Sequence, residues 1–346
     1  MGWITLSESE EYYSNGDYGF TKLKESIVEA LDALQNKPDF DLSEFDSNGD
    51  GIVDGFGILH SGYGAEFGGA DCFGTSNVNR IWSHKGGIDW ISSNNIIVDR
   101  YYVSSGLRNK CGSDIVRMGV ICHELGHYLG LPDLYDATFE GSGVGAYDVM
   151  SQSWGFDGTG MYPPYLSAWS KVSVGWVTPT VIEEDGTYQI AASHDSNAAY
   201  RIDTGFPNGE YLLIENRQQN GFDSKLPHGG LAVWHIDENA NQDVRGYPDQ
   251  DEWPENGKHY KVALLSADGN YDLERGVNQG DVHDLWHALS ANKELRSGGN
   301  KFPNTDTYQD GVVNATGTRI YGFSASNNVM SFKVEGIIVQ NETDVS

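Results

Sequence analysis

The sequence predicts an α+β fold in two parts: a β-sheet with helices over residues 1–178, then an all-β domain of sandwich or jelly-roll type over residues 179–346. Three observations carry this expectation. Apolar residues recur at helical spacing in the first half, whereas beyond Thr180 they come as short runs separated by turn residues, the mark of short strands. The 43 glycines point to many turns, and 346 residues exceed what one ordinary core holds. No repeat of fixed period stands out.

In chain order, Leu23, Ile27, Leu31 and Leu34 share one helical face, so an amphipathic helix is expected from Thr21 to Leu34, with Thr21 as its cap and Pro38 closing it. Short strands follow around residues 55–60 and 96–103, the second rich in β-branched and aromatic side chains. A helix is expected over residues 114–129, and the helix–sheet domain should end near Val177-Thr178-Pro179. The later runs 188–192, 211–215, 231–236, 262–265 and 329–334 read as strands, and Gln340–Ser346 reads as a polar tail.

The most informative stretch is Val120–Asp133, which contains H-E-x-x-H extended to H-E-x-x-H-x-x-G-x-x-D. On a helix, His123 and His127 lie one turn apart on one face, so both imidazoles can reach a single zinc ion. Glu124 is placed to take a proton from a zinc-activated water, as general base and then general acid. Gly130 can adopt the left-handed conformation that ends the helix and turns the chain back, which makes Asp133 the expected third ligand. Asp136 and Asp148 are nearby competitors. Three protein ligands leave a position open for chemistry, as in a catalytic zinc site. The competing reading is a buried amphipathic helix with hydrogen-bonded histidines, which leaves Gly130, Asp133 and the following Tyr147-Asp148-Val149-Met150-Ser151 unexplained. That methionine suits the Met-turn of a metzincin-like architecture.

Asp46-x-Asn48-x-Asp50-Gly51-Ile52-x-Asp54 matches the first nine positions of a calcium loop, with Ile52 offering its carbonyl. Position 12 is Gly57 in place of the bidentate glutamate, so a static structural calcium site is expected here rather than a sensor. Asp268, Asp272, Asp281 and Asp284 have no defensible loop spacing and read as an acidic surface. His60 and His84, on expected strands, read as structural histidines. Trp234, Trp253 and Trp286 could form a glycan-stacking surface, though burial is the usual fate of such residues in a β-rich fold. Cys72 and Cys111, in polar segments, are candidates for a disulfide, and Cys122 reads as a buried small hydrophobe.

Several separate segments together resemble the secreted metallopeptidases of the immune inhibitor A type. They are Asp46–Asp54, Ile81-Trp82-Ser83-His84-Lys85, His123–Asp136, Tyr147–Ser151, Leu166–Lys171, Gly175-Trp176, Tyr211–Gln218 and Gly230–Asp237. The resemblance covers most of residues 1–335. It implies an exported zinc endopeptidase, often made with a pro-segment and stabilised by calcium. Met1–Thr5 lacks the basic start and the apolar stretch of about 7–15 residues of a leader, which suits either an intracellular protein or one whose leader and pro-segment lie upstream, and the resemblance, beginning almost at residue 1, implies the second.

With 50 Asp and Glu against 22 Lys and Arg, the formal net charge is −28, which repels a phosphate backbone and excludes nucleic acid as a partner. No apolar run is long enough to span a bilayer. The resemblance to zinc endopeptidases implies protein and peptide substrates as the partners. The rival class is a calcium-stabilised cell-surface binding module with a vestigial or structural zinc site. It predicts loss of Glu124 or a fourth protein ligand, and Glu124 is in place.

Overall fold

The computed structural model of the protein describes residues 2–299 and 301–337, so the tail expected at Gln340–Ser346 lies outside the described residues. The architecture is α+β, with few helices and several sheets. The chain separates into two compact units, Met1–Gly130 and Leu131–Ser346.

The first unit contains α1 (Glu10–Ser14), α2 (Leu23–Gln35), β1 (Gly57–Tyr63), β2 (His84–Ile91), β3 (Ile97–Leu107) and α3 (Met118–Tyr128). The sheet order is β1-β3-β2, with β3 parallel to β1 and antiparallel to β2. Leu23, Ile27 and Leu31 recur every four residues along α2, and together they bury against Ile88 and Trp90 of β2 and Val98, Tyr101 and Val103 of β3. Trp90 donates its indole N–H to Asp32 at 2.9 Å, which pairs the polar atom of a buried ring.

Two expected boundaries shift. The cap of α2 is Lys22, which makes no side-chain capping bond, while the Thr21 hydroxyl donates to Asp17 instead. Helix α3 starts at Met118 rather than at residue 114, because Ile115 bridges Leu107 and Val116 donates its amide to Gly106. Those residues extend the pairing of β3, and the backbone stays extended through the cap, Arg117, so the helix opens only after it.

The described residues of the second unit contain α4 (Ala168–Ser173) and the strands β4 (Thr180–Val181), β5 (Gly186–Ala191), β6 (Tyr200–Ile202), β7 (Glu210–Arg217), β8 (Gly230–Asp237), β9 (Val262–Leu264), β10 (Glu294–Arg296), β11 (Arg319–Tyr321) and β12 (Val329–Glu335). They form a sheet of order β4-β6-β7-β8-β9 and another of order β10-β11-β12-β5. One apolar cluster draws on both, with Leu212, Ile214, Leu231 and Val233 from the first and Ile190, Ile320, Met330 and Phe332 from the second. Strands alternate faces, so Leu213, Glu215 and Arg217 point away from that cluster, yet every residue of β7 and β8 is buried. Trp234 and Trp286 are fully buried, which assigns both to packing and not to a glycan-stacking surface.

Cys72 and Cys111 form a disulfide with Cα atoms 5.6 Å apart, and Cys122 keeps its thiol, partly buried on α3. The bridge spans 39 residues of sequence. Replacing both partners by serine is expected to destabilise the protein by about 3–4 kcal/mol through the freed unfolded chain. Denaturant unfolding of the double variant against the oxidised protein measures this.

Candidate metal centre

Helix α3 carries the signature residues, and its period sets their relation. His123 and His127 present their rings 4.7 Å apart, nearly perpendicular at 83°. Glu124 is buried, 6% exposed. The helix ends at Leu129, and Gly130 follows with φ of +96°, a backbone conformation that glycine reaches without a Cβ clash. The turn that results is anchored by Leu131 and Leu134, both buried, with Asp133 between them.

The backbone on either side of that anchor is fixed. Leu134 donates its amide to the Met150 carbonyl at 2.8 Å. Its carbonyl accepts from the Val144 amide at 3.0 Å and from Gln242 at 3.1 Å. His123, His127 and Asp133 each then offer one ligand atom, and these atoms lie within 4.8 Å of one another. Ligands sharing a tetrahedral zinc at bonds of about 2.0–2.2 Å stand about 3.3–3.6 Å apart. Two imidazoles and a carboxylate are an ordinary catalytic zinc donor set.

The competing carboxylates are engaged elsewhere. Asp136 accepts from the Thr138 amide and hydroxyl, the Gly141 amide and the Tyr260 hydroxyl. Asp148 accepts from the Met150 amide at 2.7 Å, the Ser167 amide at 2.7 Å and the Ser170 hydroxyl at 2.6 Å.

The 46–54 segment is a tight loop whose oxygens mostly face its own amides. Asp46 accepts from the amides of Gly49, Asp50 and Gly51, and Asp50 accepts from that of Ile52. Asn48 accepts from the Asp50 amide, and Asp54 accepts from the Ser47 amide and hydroxyl. By the measure that gathers His123, His127 and Asp133, no three acidic side chains of this loop come together.

His60 lies on β1 and His84 on β2, outside the trio. The His60 Nδ1 accepts the Gly62 amide at 3.2 Å, so its lone pair is already used and the ring is neutral. Burial, with the Arg80 guanidinium nearby, lowers its pKa to about 3. The 3.4 Å approach of Glu10 to that nitrogen is therefore not an ion pair, and Glu10 pairs with Arg80 instead. His84 bridges the Trp82 carbonyl and the Tyr101 hydroxyl.

Sequence reasoning missed a buried ionic network on β7. Arg217 is completely buried and Glu215 is 1% exposed. Burial pushes the Glu215 carboxyl up, but Lys171 and Arg217 more than offset this and leave it lowered. Charged residues at the end of a continuous apolar run were the available signal, since an unpaired charge does not stay in such a strand. Also missed was Glu274, 3% exposed, whose carboxyl burial raises to about 8.

A family profile described as the catalytic domain of the immune inhibitor A peptidase M6 matches residues 1–177. The chain belongs to the immune inhibitor A peptidase M6 family. It is similar to the pre-pro-metalloprotease PrtV of Vibrio cholerae serotype O1 (strain M66-2), at 29% identity over 204 residues, covering 49% of this chain and 21% of that protein. It is also similar to Immune inhibitor A of Bacillus thuringiensis subsp. alesti, at 30% identity over 153 residues, covering 37% of this chain and 20% of that protein. The chain thus spans about a fifth of the length of these relatives. No helix among the described residues of this M6 chain is long and apolar enough to cross a membrane.

His60 gives the first unit of this M6 chain an acid sensitivity with a definite sign. Its folded pKa lies below the unfolded value of 6.5, so the stability it contributes is full above pH 6.5 and is lost as pH falls toward 3. Between pH 6.5 and 4 the loss is on the order of 3 kcal/mol. His60→Asn is expected to flatten this part of the stability–pH curve, measured by urea unfolding at stepped pH.

Proposed function

We propose that this chain is a zinc-dependent metalloendopeptidase. His123, His127 and Asp133 hold the metal, and Glu124 handles the protons. The observation that carries the reading is the convergence of the three donor atoms within 4.8 Å, with Glu124 beside His123 on the same helix. Bound zinc supplies a Lewis acid that polarises the scissile carbonyl and lowers the pKa of water. The Glu124 carboxylate accepts a proton from water and returns it to the leaving amine, so no bond forms between substrate and protein. Protein and peptide chains are the substrates. Export is part of the same reading, supported by a relative named a pre-pro-metalloprotease. The catalytic domain is taken as residues 1–178, and residues 179–346 as an all-β sandwich, a reading supported by the one apolar cluster drawing on both sheets of the second unit. Within a metzincin-like site, an Asp133 oxygen would lie about 2.0–2.2 Å from zinc.

Glu124→Ala is expected to keep stoichiometric zinc and lose casein hydrolysis by at least about 10²–10⁴-fold, because the residue moves protons and does not hold metal. Metal analysis alongside the digestion assay checks this, and zinc loss in that variant would contradict the assignment. His123→Ala and His127→Ala should lose metal and activity together.

We also assign a structural calcium to the loop of Asp46, Asn48, Asp50, Ile52 and Asp54, supported by its ligand-bearing spacing. An ion bound only by the folded state stabilises by about 2.7 kcal/mol at a hundred times its Kd. At saturating zinc, calcium removal should lower the Tm, and Asp50→Ala should do the same. A Tm indifferent to calcium would remove the site.

A further inference from the structure

Asp133 stands on chain that has left its helix, and what fixes that chain can be followed outward bond by bond. The next residue, Leu134, donates its amide to the Met150 carbonyl at 2.8 Å. Met150 donates its own amide to the Asp148 carboxylate at 2.7 Å, closing a tight turn. The carbonyl of Tyr147, one residue before, accepts Nη1 of Arg217 at 2.8 Å. Arg217 reaches it from the end of β7, on the face turned away from the apolar cluster.

The guanidinium is built in completely. Nε and Nη2 donate to the two oxygens of Asp223 at 2.6 and 2.8 Å, a bidentate pair. Nη1 also meets Glu215 at 3.3 Å, and Nη2 meets the Tyr165 carbonyl at 3.4 Å. These contacts use all five N–H groups, a pattern that the three-donor ammonium of lysine cannot reproduce. Asp223 accepts the Tyr165 amide as well, so the pair grips both ends of the 147–165 segment. A charge this deeply buried costs a great deal unless fully compensated, so the arrangement has few alternative geometries.

We propose that Arg217 is a positioning residue for the metal ligand Asp133, acting through the Tyr147–Met150 turn that seats Leu134. This rests on the reading of Asp133 as a ligand. Residues supporting a metal ligand from outside the coordination shell typically change affinity by about 10–100-fold when replaced. The strand residue Arg217 therefore belongs to the metal centre although the matched catalytic region ends at residue 177.

The test is zinc affinity of the full chain, measured by competition with a chromophoric chelator. It is read together with the visible spectrum of the cobalt-substituted protein, both at a temperature where each variant is folded. Arg217→Lys is expected to weaken zinc binding about 10–100-fold and to alter the cobalt spectrum. Asp148→Asn reads the same relay should the lysine variant fail to fold. Phe332→Leu, in the apolar cluster, supplies a destabilised control whose zinc affinity should stay at the wild-type value. Asp133→Asn separates the two levels of the claim. If it binds zinc as the wild type does, the reading of Asp133 as a ligand is wrong. If it binds weakly while a folded Arg217→Lys or Asp148→Asn keeps wild-type affinity and spectrum, Arg217 serves stability alone and the inference is overturned.

Discussion

A helix offers an ion two ligands, at i and i+4, and a third on the same face would lie about 6 Å further along the axis. The third ligand must come from chain that has left the helix, and such chain has no hydrogen-bond ladder of its own to hold it still. Much of the second unit can be understood from this constraint. Gly130 allows the departure, Leu131 and Leu134 bury on either side of Asp133, and both backbone polar groups of Leu134 are paired. Rigidity is thus imported into the 131–134 segment from the 144–150 region and from Gln242.

That import has an electrostatic cost. The 147–165 segment is held by a buried guanidinium, and the compensation is spread over Asp223 and Glu215, with Lys171 balancing Glu215 from α4 at 3.4 Å. Trp234 of β8 donates its indole N–H at 3.2 Å to the other Glu215 oxygen, the one Arg217 meets, and the Ala168 amide donates to it at 3.0 Å. Removing one partner from such a group strands the other charge and typically costs about 3–5 kcal/mol. Burying a salt bridge is a poor way to gain stability, since an apolar replacement can serve as well. Its use here fits a demand for one geometry rather than for cohesion.

What the sequence made legible follows the same division between local and distant causes. The helix, its two histidines, the reversal at Gly130 and the placement of Asp133 are encoded within a dozen residues, so spacing sufficed to anticipate them. The apolar centres of β7 and β8 were legible for the same reason. Their ends were carried only by the resemblance, through Tyr211–Gln218 and Gly230–Asp237, since spacing alone does not give the partners, such as Asp223 and His259, that let Arg217 and Asp237 be buried. The start of α3 was placed too early because residues 115 and 116 pair with β3 and the backbone stays extended through Arg117, a long-range pairing that helical periodicity does not register. The loop at 46–54 carries a legible pattern of oxygen-bearing residues, but a pattern does not say whether those oxygens face an ion or their own amides.

The distance along the chain between Asp133 and Arg217 has a consequence for assembly. Strand β7 pairs with β8 along its whole length, from Glu210 opposite Asp237 to Arg217 opposite Gly230, while the guanidinium takes its partners from residues 147, 165, 215 and 223. Contacts of such sequence separation form against a larger loop-closure entropy than those within α3. The histidine pair is set by the local period of its helix, whereas the proposed support of Asp133 draws on residues far along the chain. On the proposed reading, a metal that needs Asp133 as well as the histidines would stabilise only chains in which the segment carrying Asp133 is seated. On that reading the downstream sheet, through Arg217 and the Tyr147 carbonyl, would help to seat Asp133.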